Sequence, residues 1–320
     1  MDKTCSLAEA VRQFVHDGDH IATGGFTTSR KPMAAMYEIL RQGLKDFIVE
    51  GGPAGSDWDM LIGEGRVKAY INCYTANPRF SNVARRFRAA IQEGELLFED
   101  YSQDAVMMMF HGAALGLPYV PSHYMQGSSL EREWGISEEQ RKAIPKLPPK
   151  KFLIEENPFA PGEKLLLLPT PALDTAILHV HMASPDGTCR ILGDEYQDVD
   201  LAFAAKHVIV TCEELVSNEY IGREPERNCI PGMCVDAVAH APFGAHPSQM
   251  YRLYDYDKEF YFAYDKAGKT KEAFQAFLSE WVYGAEDHAG YLEKLSARRV
   301  AALKVSPDYG YHASGAEGGV

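Results

Sequence analysis

Apolar and polar residues repeat along this chain in two periods, and the switches between them outline the fold. Leu7, Val11, Phe14 and Val15 fall at helical spacing. Ser6 and Glu9 form a capping-box pattern in front of them, and Gly18 marks the stop. An apolar run at 21–23 predicts a short buried strand, then a tight turn on Gly24-Gly25 and a helix opening at Pro32, where a missing N–H costs nothing. Met33, Met36, Tyr37 and Leu40 carry that helix to Gly43. Runs at 47–49, 67–71 and 96–98 predict three more strands. Helices are expected over 78–92, with Arg85, Arg86 and Arg88 on a solvated face, and over 103–115 up to Gly116. This alternation predicts a parallel sheet covered on both faces.

The rhythm breaks at 118–163, which is rich in proline and charge. Such a stretch predicts an excursion that covers something or meets a partner. Regular pattern returns with strands at 165–168, 174–181 and 207–211, a helical segment at 199–205 and a turn at Ser184-Pro185-Asp186-Gly187. Ala241 to Pro247 reads as a rigid turn, and amphipathic helices are expected near 270–283 and 286–299. The fold class is therefore α/β: an open, mostly parallel sheet over 1–240, a helical C-terminal extension over 241–310, and a loose tail at 311–320.

Composition narrows the function. A net charge of −13 disfavours a nucleic-acid surface. No run approaches the eighteen apolar residues of a membrane span, and the N-terminus lacks a signal-peptide core. Six cysteines without C-x-x-C spacing read as free thiols of a reducing cytoplasm, and Cys229 and Cys234 do not match zinc spacing. His179 and His181 share one strand face, but no third ligand stands near, so they read as hydrogen-bonded interior histidines and no metal site is expected.

Three places carry candidate chemistry. The first is the Gly24-Gly25 turn with Arg30 and Lys31 beside a helix start, a seat for phosphate or carboxylate. It is neither G-x-G-x-x-G nor G-x-x-x-x-G-K-S/T, and no G-x-S-x-G elbow occurs. The second is Glu50, at a strand end before two glycines, either a nucleophile or base or a solvated acid. The third is Gln103 at a helix start, either a donor to a developing oxyanion or a cap.

Several segments in order resemble the class I coenzyme A transferases, in their α subunit or N-terminal half. Asp17-Gly18-Asp19-His20-Ile21 running into Gly24-Gly25-Phe26 and Pro32 is similar to the family's opening. Gln103, with Asp104 where a glycine is usual, resembles its Q-G helix. Asp174 to Ile177 with Asp186-Gly187, Ala204 to Val210 with Glu213-Glu214, Pro231-Gly232, and Ala241 to Pro247 extend the match, with Thr188 where asparagine is common.

The resemblance implies transfer of CoA from an acyl-CoA such as acetyl-CoA to a dicarboxylic acid such as glutaconate or 2-hydroxyglutarate, in anaerobic glutamate fermentation. CoA thioesters would be substrates, with no permanent cofactor. It implies a cytoplasmic α2β2 or α4β4 hetero-oligomer whose β chain carries the nucleophilic glutamate. Glu50 then occupies the counterpart position in the wrong half, and Gln103 is a polar assistant. Contacts to substrate or CoA are expected from Gly24, Gly25, Phe26, Thr27, Ser29, Arg30, Lys31, Arg79, His111, His123 and Gln126. The rival enzyme is a CoA-dependent ring-opening hydrolase or hydratase of the same superfamily, with a catalytic glutamate in this chain. The non-enzymatic rival, a sugar-phosphate sensor, needs a helix-turn-helix or basic region, and neither is visible.

Overall fold

The first half of the chain runs α1 (Leu7–Phe14), β1 (His20–Thr23), α2 (Met33–Arg41), β2 (Phe47–Glu50), α3 (Ser56–Gly63), β3 (Val67–Asn72), α4 (Arg85–Gln92), β4 (Leu97–Asp100) and α5 (Gln103–Ala114). The excursion follows, with β5 (Tyr119–Ser122), α6 (Ser129–Arg132), α7 (Glu138–Lys142), β6 (Leu153–Glu156) and β7 (Lys164–Pro169). The second half contributes β8 (Thr175–Ala183), β9 (Cys189–Arg190), α8 (Asp198–Ala204), β10 (His207–Leu215), α9 (Asn218–Ile221) and β11 (Ala237–His240). Helices α10 (Lys258–Ala267), α11 (Lys271–Trp281), α12 (His288–Leu295) and α13 (Ala297–Leu303) follow. This is a computed structural model that describes residues 1–306, so the tail at 311–320 lies outside the described residues.

The large sheet has the order β11-β10-β8-β1-β2-β3-β4, parallel throughout, with β9 antiparallel beside β8. Successive side chains on a strand face opposite ways, and the sequence puts apolar residues on both. Ile21, Phe47 and Val49 enter one core with α1, α2, α3 and the C-terminal helices. Ala22, Ile48 and Ala69 enter the other with α5, α8 and the excursion. The two-faced parallel sheet and the helical C-terminal segment are as the pattern predicts.

Strands β1 to β4 build outward in one direction, and β8, β10 and β11 build in the other. The reversal lies between β1 and β8. In open parallel sheets ligands gather at the carboxyl ends of strands at such a reversal.

Several details differ from the expectations of pattern. Pro32 is the N-cap of α2, not its first helical residue. The helix expected from 78 begins only at Arg85, and 78–84 is loop. Helices α3 and α10 are not predicted by the pattern, because Asp57, Asp59 and a tyrosine-rich acidic stretch obscure their period. Arg86 is buried rather than solvated: it lies 5.6 Å over the Phe274 ring, while Arg85 grips Asp265 at 2.7 and 2.8 Å. The C-terminal helices cover a face that local spacing assigned to water. Within the excursion, β5, β7 and β6 form a small antiparallel sheet.

Candidate active site

The glycine turn after β1 stands at the reversal point, and its shape follows from contacts made far along the chain. Asp198, at the start of α8, accepts the Gly25 N–H at 2.8 Å and the Arg30 guanidinium at 2.5 Å. A Cβ on Gly24 would run into the Asp198 carboxylate. Gly25 has φ +71°, where a side chain would meet the Arg30 carbonyl. Gln197 donates to the carbonyls of Gly25 at 2.8 Å and Thr23 at 3.2 Å, and lies 2.9 Å from where a Cβ on Gly52 would sit. One turn of α8 therefore braces the loops after β1 and β2. Asp198 and Gln197 escape the sequence pattern, since nothing local distinguishes them from any helix start.

The charges expected to receive an anion are used up inside the protein. Arg30 also donates to the carbonyls of His179, Asp194 and Glu195. Lys31 pairs with Asp57 at 2.9 Å and donates to Gly24 O at 3.0 Å. Both are buried. The start of α2 is buried as well, and its Ala34 N–H donates to Gly244 O at 2.9 Å. These groups hold the loop in place, while Phe26 and Ser29 remain partly open on its outer side.

Across the crest formed by the carboxyl ends of the sheet strands, Arg79 is exposed on the loop after β3, with φ +75° and its guanidinium 6.0 Å over Tyr256. Tyr256 stands beside Thr28, which joins this loop to the glycine loop. Gln103 opens α5 directly after the Ser102 cap and is exposed. His111 lies two turns further along α5 and meets Asp200 of α8 at 3.0 Å. His123 and Gln126 belong to the excursion and contact one another at 3.3 Å. The structure thus gathers Gly24 to Lys31 with Arg79, and leaves His111, His123 and Gln126 outside that group.

Glu50 ends β2 and is only 3 % exposed. Its Oε2 lies 3.3 Å from His20 Nε2. Its Oε1 and His20 Nδ1 have no protein partner among the described residues. Both line a cavity of about 240 Å³ roofed by Arg141, Pro145, Leu147 and Pro148 of the excursion. The roof is locked down by Glu99, whose carboxylate takes Arg141 at 2.6 Å and Lys151 at 3.0 Å, all three buried.

His179 and His181 are interior and fully partnered. His179 bridges Thr211 and Glu213, each at 2.8 Å. His181 accepts from Leu192 N at 3.0 Å and donates to Tyr251 O at 2.9 Å, and burial pulls its pKa down to about 4. Among the described residues no cluster of three or more His, Cys, Asp or Glu could hold a metal ion, and no helix is long and apolar enough to cross a membrane.

Set against known proteins, the chain matches the family model described as Coenzyme A transferase over residues 4–241. It is 60% identical over 312 residues, 98% of each chain, to a subunit of the glutaconate CoA-transferase of Acidaminococcus fermentans. The crystal structure of glutaconate coenzyme A-transferase from that organism superposes with a TM-score of 0.97 at 59% identity, covering 98% of this chain and 99% of that one. The cholesterol ring-cleaving hydrolase IpdA subunit of Rhodococcus jostii is 31% identical over 294 residues, 89% of this chain and 94% of its own. With its fold and its sequence in agreement, this chain belongs to the coenzyme A transferase family.

Proposed function

We propose that this chain is the α subunit of a two-chain CoA-transferase that moves CoA from an acyl-CoA, such as acetyl-CoA, to a small dicarboxylic acid. Glutaconate is the first candidate acceptor and 2-hydroxyglutarate the second. The chain works in the cytoplasm, in an α2β2 or α4β4 assembly, and takes CoA thioesters as substrates rather than as a bound cofactor. The attacking carboxylate belongs to a glutamate of the partner. It adds to the thioester carbonyl and expels CoA thiolate, leaving a mixed anhydride. The thiolate then attacks the glutamyl carbonyl, releases the first acid and leaves an enzyme–CoA thioester, which the second acid opens by the reverse route. Splitting one transfer into two acyl exchanges conserves the thioester without free CoA.

The single observation that carries this reading is the 60% identity, across 98% of the chain, to a glutaconate CoA-transferase subunit. The cover over Glu50 supports placing the nucleophile elsewhere: a carboxylate under the excursion, in about 240 Å³, has no room for a CoA thioester and an acceptor acid. In this chain, Gly24 to Ser29 form the wall that lets substrate approach the backbone. Gln103 donates toward the carbonyl oxygen on which charge develops. Arg79 takes the distal carboxylate of the dicarboxylate as an exposed, planar donor.

The test is co-expression with the neighbouring gene, followed by incubation with glutaconyl-CoA and acetate. Acetyl-CoA should appear, and hydride trapping should label the partner chain. Label on this chain, or activity of this chain alone that Glu50→Gln abolishes, overturns the reading. The 31% identical ring-cleaving hydrolase favours a second reading, hydrolysis of a CoA-linked ring. Under it, acetate would yield no acetyl-CoA.

A further inference from the structure

Beneath the second glycine turn lies a covered space whose polar groups the transfer chemistry leaves unused. His20 is 1% exposed and Glu50 3%, and they face one another at 3.3 Å through Nε2 and Oε2. With the ring proton on Nε2, where it bonds the carboxylate, His20 Nδ1 is left as an acceptor. Glu50 Oε1 is a second acceptor, and neither atom has a protein partner among the described residues. Both residues line the cavity of about 240 Å³, the share of roughly eight water molecules at about 30 Å³ each. The other charged groups of the lining are already matched. Glu99 holds Arg141 at 2.6 Å, while Asp174 and Asp19 hold Lys146 at 2.6 and 3.3 Å. The Tyr101 hydroxyl is spent on Lys151 O, to which it donates at 2.6 Å. Ile71, Met109, Leu147 and Pro148 make much of the remaining wall apolar.

We propose that this cavity is a binding site for a small primary amine, taken as its ammonium ion with a short apolar body. The ammonium donates to Glu50 Oε1 and His20 Nδ1, and the body lies against Ile71, Met109 and Leu147. The donor set fixes the class. Two buried acceptors call for a ligand that brings donors, because leaving them unmet is costly. A hydroxyl carries one O–H and serves one of them, whereas an ammonium serves both. Its charge also makes the bond to the carboxylate roughly twice as strong as a neutral one. A carboxylate or phosphate would meet Glu50 with no free cation in the lining to offset it, so the acids and CoA thioesters of the transfer reaction are excluded. Entry has a route. Pro145 and Lys146 also line a wider cleft of about 700 Å³ at the amino ends of β2, β3 and β4. The bar between cleft and cavity is thus a surface lysine, 38% exposed and held by two ion pairs, rather than packed core.

The test titrates the co-expressed complex with n-butylammonium chloride by isothermal titration calorimetry, beside sodium butyrate, an acid of similar size, at equal ionic strength. The amine should saturate one site on this chain with a Kd of about 1 mM or tighter, within what five non-hydrogen atoms can supply. Butyrate should give no saturable heat. Glu50→Gln, which keeps the shape, should weaken amine binding by about tenfold or more, with circular dichroism to check its folding. If that variant folds poorly, a wild-type crystal soaked in the amine decides the matter and should show the ammonium nitrogen within hydrogen-bond distance of Glu50. Absence of saturable amine binding, unchanged affinity in a folded Glu50→Gln, butyrate binding as tight as the amine, or only water in the cavity of the soaked crystal each overturns the proposal. No readout here depends on CoA transfer, so failure of the functional reading would leave the amine site standing.

Discussion

Two neighbouring strands of this protein end in the same way and come to opposite uses. After β1 the chain reads Thr23-Gly24-Gly25, and after β2 it reads Glu50-Gly51-Gly52. Both turns sit at carboxyl ends beside the reversal of the sheet, where function is expected. The first stays at the crest with its outer side open, because α8 braces it from below through Asp198 and Gln197. The second loses its carboxylate to the interior, because the side chain turns to His20 and the excursion closes over both. A strand-end position is therefore only an opportunity. What decides its use is which later segment of the chain folds across it.

The largest expected effect tests the bracing. Asp198→Ala leaves the Arg30 guanidinium buried without its counter-charge, which costs about 3–5 kcal/mol and should appear as a matching loss in chemical denaturation. Recovery of near wild-type stability in that variant would show that the backbone carbonyls alone satisfy Arg30.

Acid should act next. His181 has a folded pKa of about 4 against an ordinary 6.5, so between those values the unfolded chain binds the extra proton. Stability is then full above about pH 6.5 and falls as the pH drops toward 4, by up to roughly 3 kcal/mol from this residue. His246 is shifted the same way by burial and adds to the slope. In His181→Gln the fall over this window should be shallower, and an unchanged slope would remove His181 from the account.

Gly24→Ala sharpens the comparison from the side of the first turn. The added methyl meets the Asp198 carboxylate, so a cost of about 1–3 kcal/mol is expected together with a marked loss of transfer rate. The smallest effect belongs to the second turn. Glu50→Gln preserves shape in a covered site, and kcat of the complex should stay within about threefold of wild type, with stability changed by about 1 kcal/mol or less. A thousandfold loss of kcat there would make the two turns functional equals.

How much of this is legible without the fold varies by kind of feature. Helix α1 and the strands that carry both cores are readable, because Ser6 with Glu9 and the apolar runs at 21–23 and 47–49 act through neighbours in sequence. The histidine pair on β8 is readable as interior because its surroundings are a strand buried on both faces. Helix α3 is not, since Asp57 and Asp59 look like surface residues until Lys31 and Tyr264 are placed against them. Asp59 illustrates the consequence of that placement: burial raises its pKa to about 6 although Tyr264 and the Phe87 N–H both donate to it.

By itself the sequence determined the two-faced parallel sheet, the glycine turns and, through an ordered set of short segments, membership of the family. Those depend on periodicity and on backbone conformations that only certain residues adopt. The tertiary structure alone decided the fate of the charges. Arg30 and Asp198 are 168 residues apart in sequence and 2.5 Å apart in space, and Glu50 is hidden by residues nearly a hundred positions later. A buried charge is set by whatever partner or cover reaches it through a low-dielectric interior, and local sequence carries no record of that meeting.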